Sequence, residues 1–236
     1  MSKEFENLTV VIKTILRYHC LRKTVSAFHS IDPSLKIIII DDSPIEDRQK
    51  VVGENIEHIF TEVDIGVSAG RNLGFQLAET EYILLTDDDD YPIMTRESLL
   101  ENFNFVKNGN CNLLGFLGVS MSPNEEKKIL TMEKHGVTGF QKTDLTSNSF
   151  IARRDFLLTN PFNNGIKNIG EHYLFFFNLK KKNYQVFASE TFKFKRLHAR
   201  NSKYNQLRKR DFKHIAIEES GYDPIWEKPS GCCNGG

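Results

Sequence analysis

Residues Lys36–Ile40 end in four consecutive isoleucines, followed at once by Asp41 and Asp42. An unbroken β-branched run offers no polar face to water, so it predicts a strand covered on both sides, as in a parallel sheet flanked by helices. Leu8–Ile15 predicts another buried strand, Ile56–Phe60 a third, and Tyr82–Leu85 a fourth that leads into the acidic run Asp87–Asp90. Helical periodicity lies between them: Leu21–Ile31, stopped by Pro33, and Ser68–Ala78, with Ser68 as the expected N-cap. Strand–helix alternation of this kind predicts an α/β fold with a doubly wound sheet.

After Cys111 the pattern loosens. Leu113–Met121 and Ser147–Ala152 read as strands, Glu171–Lys181 as a helix and Gln185–Ala188 as a last strand. At 236 residues the chain is long enough for one sizeable domain. Lys plus Arg and Asp plus Glu cancel at 31 each, so net charge gives no pull toward nucleic acid. The distribution is less even, with nine Lys/Arg between Lys193 and Lys213 against one acid, Asp211. That segment is either a solvated basic face or a strap that closes over phosphates or rests on an anionic membrane surface. Cys20, Cys111, Cys232 and Cys233 lack metal-type spacing, which predicts reduced thiols and a cytoplasmic setting. No apolar run reaches signal-peptide or membrane-span length; the chain also fits the catalytic piece of a longer membrane-anchored protein.

Open α/β sheets bind ligands outside the carboxyl ends of their strands. Those ends here carry Lys13, Thr14 and Arg17, then Asp41-Asp42-Ser43, then Asp87-Asp88-Asp89-Asp90. Four adjacent carboxylates repel one another, and a divalent cation with a taste for hard oxygen, Mn2+ or Mg2+, would relieve them. In extended chain Asp87 and Asp89 point one way and Asp88 the other. The plainer alternative is an acidic turn ahead of the helix Thr95–Lys107. No GxGxxG fingerprint, P-loop or GxSxG elbow occurs.

Four ordered stretches carry a family likeness: Val10–Thr14, Ile39–Ser43, Asp64–Gly74 (DIGVSAGRNLG) and Leu84–Asp89. Together they resemble family 2 glycosyltransferases of the GT-A fold, in wording nearest the β-1,4-N-acetylgalactosaminyltransferase branch. The resemblance implies a metal-dependent inverting transfer from a nucleotide sugar, typically UDP-linked, to a hydroxyl of a glycan, glycolipid or lipid-linked acceptor. It implies that Asp42 accepts from the uracil N3–H, that Thr14 lies beside the base and that Arg71 contacts the nucleotide while Asn72 braces the loop. Asp87 would face ribose or metal and Asp89 would ligate the metal, with Asp88 kept in play because a four-acid run leaves the register open. Asn168–Phe176 resembles the family segment in which a Gly-acid pair opens an apolar helix, making Glu171 the expected base; the alternative is an ordinary first-turn acid. More loosely, the fold implies a late histidine on the metal, His198, and a basic partner for the diphosphate, Arg200. Residues 1–220 are then expected to form one domain, with 8–110 on the donor side, 111–220 facing the acceptor, and a flexible tail from 221 to 236. Two rivals stand beside this reading: a sugar-phosphate nucleotidyltransferase, which Lys13–Arg17 fits poorly for want of glycine, and a non-catalytic carbohydrate- or metal-binding module.

Overall fold

The computed structural model describes residues 4–197 and 201–226. Strands β1 (Leu8–Thr14), β2 (Lys36–Asp41), β3 (Ile56–Phe60) and β4 (Tyr82–Asp87) run parallel in the spatial order β3-β2-β1-β4. Beyond β4 the sheet continues with β10 (Phe150–Arg153), β6 (Leu113–Gly115), β11 (Val186–Ser189) and β9 (Phe140–Lys142). Only β10 and β9 oppose the common direction, so the central sheet is mostly parallel.

The isoleucine run shows why such a strand has no polar face. Ile37 and Ile39 join Val10, Ile12, Tyr82 and Leu84 in one core, packed under α1 (Tyr18–Ile31) and α3 (Arg96–Lys107). Ile38 and Ile40 join Val11, Ile83 and Leu85 in the other, under α2 (Val67–Leu77), α4 (Arg154–Thr159) and α5 (Glu171–Lys181). Alternate side chains are buried on opposite faces, and every residue of β1 is buried.

Two smaller sheets complete the molecule. β5 (Asp90–Pro92) pairs with β12 (Phe194–Arg196), and β7 (Val119–Asn124), β8 (Ile129–Lys134) and β13 (Asp223–Trp226) form a three-stranded sheet. The helices α6 (Ser202–Arg208) and α7 (Lys213–Ser220) precede β13. Among the described residues no helix is long and apolar enough to cross a membrane.

The structure departs from the sequence expectations at three places. Leu113–Met121 is two strands, because the chain turns at Leu117, whose φ of 56° is left-handed, and leaves the central sheet. Ser68 is not the N-cap of α2; Gly66 is, and the Ser68 hydroxyl donates instead to the Ile166 carbonyl at 2.6 Å. The expected tail is ordered through Trp226, since Asp223–Trp226 pairs with β8 in parallel.

Candidate active site

Register brings the polar strand ends to one level: Lys13 aligns with Asp87 on β4, and Thr14 with Asp41 on β2. The two acids ending β2 then diverge. Asp41 turns into the core, where it accepts from the Tyr18 hydroxyl at 2.7 Å, His58 Nε2 at 3.1 Å and the Ser43 amide at 2.9 Å. Burial alone would raise its carboxyl, but those donors hold it below the usual range. His58 Nδ1 accepts from the Val51 amide at 2.9 Å, so the proton sits on Nε2 facing Asp41. His58 is itself buried. Asp42 faces a cleft, pairing with Lys13 Nζ and accepting from the Gly66 amide at 2.9 Å.

The acidic run is neutralised by arginines. Asp87 binds Arg71 at 2.7 Å, Asp88 and Asp89 share Arg17, and Asp90 accepts from Arg196 Nη2 at 3.0 Å and Ser149 at 2.8 Å. The expected repulsion is therefore met by the chain itself, because Arg17, Arg71 and Arg196 arrive from three distant segments. Alternation holds: Asp87 and Asp89 line the cleft, whereas Asp88 is fully buried beneath it, taking the Thr14 hydroxyl at 2.6 Å. Burial pushes Asp88 up to about 7, against the pull of Arg17. Asp87 goes the other way: burial would raise it, but the Arg71 guanidinium holds it well below the ordinary range.

Glu171 lies across the cleft. Gly170 precedes it at a φ of 110°, a left-handed conformation that presents the acid as the first residue of α5. A side chain at Gly170 would also crowd Ala216 on α7. Glu171 is buried, and Arg71 Nη1 reaches its Oε1 at 3.3 Å. Burial raises its carboxyl despite Arg71. Desolvation thus outweighs the pull of the helix start toward the ionised form. His172 is neutral by its surroundings: burial lowers it to about 4, and its Nε2 donates to the Thr146 carbonyl at 2.6 Å. Asp144 faces elsewhere, accepting from Lys180 and the Met121 amide.

Motif residues on α2 tie these parts together. A Cβ at Gly70 would strike the Lys13 side chain and one at Gly74 would strike Val11, so two glycines let α2 press onto β1. Ser68 holds Ile166, and Asn72 bonds the Phe162 amide and carbonyl and Asn164. Each bond crosses from the donor side to the loop ahead of Glu171.

The cleft has a cavity volume of about 130 Å³ and opens to solvent. Of the sequence candidates it gathers Lys13, Thr14, Arg17, Asp42, Arg71, Asp87, Asp89 and Glu171. Asp64, Asn148, Lys167, Arg196, Tyr204, Leu207 and Arg210 also line it and were not singled out. Asp64 sat inside a quoted motif, but Tyr204 and Arg210 gave no local signal. They come from the basic segment, whose cations turn inward: Arg196 to Asp90, Lys203 to Asp47, Arg210 to Asp64 and Lys213 to Asp223. His198 and Arg200 lie outside the described residues.

No group of three or more His, Cys, Asp or Glu converges to hold a metal among the described residues. The donor set fits a different arrangement: one or two carboxylates open to a cleft suit Mg2+ or Mn2+ that takes its other ligands from phosphate and water. Asp87 and Asp89 are the acids of the run that line the cleft, each already bonded to an arginine, Arg71 and Arg17 respectively.

The sequence matches the model of Glycosyl transferase family 2 over residues 9–176. The chain belongs to this family. Family 2 membership counts against the nucleotidyltransferase rival. Over 82 residues the chain is 37% identical to beta-1,4 N-acetylgalactosaminyltransferase 1 of Rattus norvegicus, covering 35% of this chain and 15% of that protein. Beta-1,4 N-acetylgalactosaminyltransferase 2 of Mus musculus is 31% identical over 89 residues, covering 37% and 17% respectively. The matches thus span only a small part of those relatives. S. aureus TarS residues 1–349 superpose with a TM-score of 0.56 at 19% identity, covering 80% of this chain and 59% of that one. TarS in complex with UDP-GlcNAc gives 0.56 at 16% identity, covering 83% and 59%. The fold is GT-A, as the strand order and the flanking helices already show.

Proposed function

We propose that this family 2 domain transfers a sugar, N-acetylhexosamine-like, from a UDP donor to a hydroxyl of a glycan, glycolipid or lipid-linked acceptor, inverting the anomeric carbon. The observation that carries the reading is the convergence of Asp42, Asp87, Asp89 and Glu171 on one cleft from opposite ends of the sequence. UDP-GlcNAc in TarS and the names of the curated relatives support the donor class. Asp42 would accept from a base N–H, a reading supported by its position in the cleft lining with Lys13 and Arg17. Mn2+ or Mg2+ held by Asp89 and Asp87 would neutralise the leaving diphosphate. His198 and Arg200 stay candidates for metal and diphosphate. Glu171 takes the proton of the attacking hydroxyl, and its raised carboxyl makes it a stronger base once ionised. Contact of the basic segment with an anionic membrane is the weaker part, because four of its cations already hold acids of the chain.

The test is release of UDP from a panel of UDP-sugars with Mn2+, with and without candidate acceptors. Acceptor-dependent release supports the transferase; binding without release points to a non-catalytic module. Glu171→Gln keeps shape and hydrogen bonding, so UDP should still bind while turnover drops about a hundredfold or more. Turnover near wild type would place the base elsewhere.

A further inference from the structure

Arg71 is the largest fully buried side chain among the described residues, 1% exposed, and it lines the cleft. Its Nη2 donates to Asp87 Oδ1 at 2.7 Å and its Nη1 to Glu171 Oε1 at 3.3 Å, so one planar fork touches both acids. Its Nε has no partner among the described residues, and its guanidinium stacks 5.0 Å from the Phe162 ring centre. A nucleotide contact, the role implied by the sequence resemblance, would need a free and exposed face of this guanidinium. Both terminal nitrogens are already committed to carboxylates, and the side chain, though it lines the cleft, is 1% exposed.

We propose that Arg71 is a positioning residue that sets the distance between Asp87 and the base Glu171. The inference rests on the reading of Glu171 as base. In-line displacement requires the base and the departing diphosphate on opposite sides of the anomeric carbon, and misplacement of about 1 Å can cost a hundredfold in rate. A guanidinium fixes two carboxylates at once because its donors are coplanar and rigid, whereas a lysine ammonium is a point charge on a flexible stem. The surroundings keep the fork still. Gly70 and Gly74 hold α2 against β1, Asn72 holds the loop that carries Phe162, and Asn148 donates to the other oxygen of Asp87 at 3.2 Å.

The experiment compares wild type, Arg71→Lys, Glu171→Gln and the double variant as full chains. UDP binding with Mn2+ is read by calorimetry, and turnover with the UDP-sugar chosen in the transfer assay. Arg71→Lys should bind UDP within about threefold of wild type and lose about tenfold or more in kcat. On the Glu171→Gln background the same change should cost less than about threefold, because the group it positions no longer acts as a base. Equal loss of UDP affinity and turnover, or an undiminished loss on that background, overturns the positioning role and restores a donor contact. Glu171→Gln at wild-type turnover is a different result, which overturns the base itself. Should Arg71→Lys fail to fold, Glu171→Asp carries the test: it keeps a carboxylate but withdraws it from Arg71 by one methylene. Its kcat should also fall about tenfold or more, and unchanged kcat overturns the proposal.

Discussion

Asp41 accepts three hydrogen bonds inside the core, whereas Asp42, one residue on, faces the cleft with Lys13. Replacement should therefore separate stability from binding. Asp41→Asn removes the charge that Tyr18, His58 and the Ser43 amide all address, and should cost about 2–3 kcal/mol in urea unfolding. An unchanged urea midpoint would mean the network holds nothing. Asp42→Ala should weaken UDP binding by about 1–3 kcal/mol in calorimetry if its carboxylate reads the base; equal affinity for UDP, CDP and GDP in wild type would refute that. The strand end alone gave both acids equal standing, and it was the family resemblance that singled out Asp42; the inward turn of Asp41 depends on Tyr18 and His58, which the fold brings to it. Sequence reasoning set the acidic run against a divalent cation or a helix-capping turn, and not against arginines, for a similar reason: Arg17, Arg71 and Arg196 are remote in sequence, and only the fold brings them to Asp87–Asp90.

Among the elements, α2 shows how backbone approach positions chemistry. Gly74→Ala gains helix propensity of about 1 kcal/mol, yet the new methyl would collide with Val11 in the buried β1. Overpacking of this kind costs about 1–3 kcal/mol, so Gly74→Ala should be net destabilising in urea, while Gly136→Ala, with nothing within 4 Å of the added carbon, should sit within about 0.5 kcal/mol of wild type. A Gly74→Ala protein as stable as wild type would show that α2 can move off the sheet at no cost. Strands β1, β2 and β4 and helices α1 and α2 were legible because the strands are continuously apolar and the helices periodic, with most of their apolar residues buried. The break at Leu117 was not, because apolar residues continue on both sides of it and hide a change of sheet. Asp223–Trp226 was missed because a short strand pairing at a distance leaves no periodic trace.

At the scale of the whole molecule, the C-terminal segment is fastened to the donor side by charge. Arg210, which lines the cleft, pairs with Asp64 on the loop after β3, and Lys167 Nζ donates to the Asp64 carbonyl at 2.8 Å. The Arg210 hydrogen bonds hold the Asp64 carboxyl below its ordinary value, with burial opposing them. A carboxylate depressed in the folded state contributes stability above its unfolded value of about 4, and that contribution is lost as pH falls through the folded value. The tie should thus be fully present at neutral pH and gone in strong acid. Asp64→Asn removes the charge and keeps the shape, so at pH 7 it should be less stable than wild type by about 1–2 kcal/mol, discounted for a side chain that is partly exposed. Urea unfolding of the two proteins at stepped pH should show the gap hold down to about pH 4 and then close as wild-type Asp64 itself takes up a proton. A gap that stays constant into strong acid would mean that the Asp64→Asn protein is weakened for reasons of packing, and that the pairing with Arg210 does not fasten this segment over the cleft.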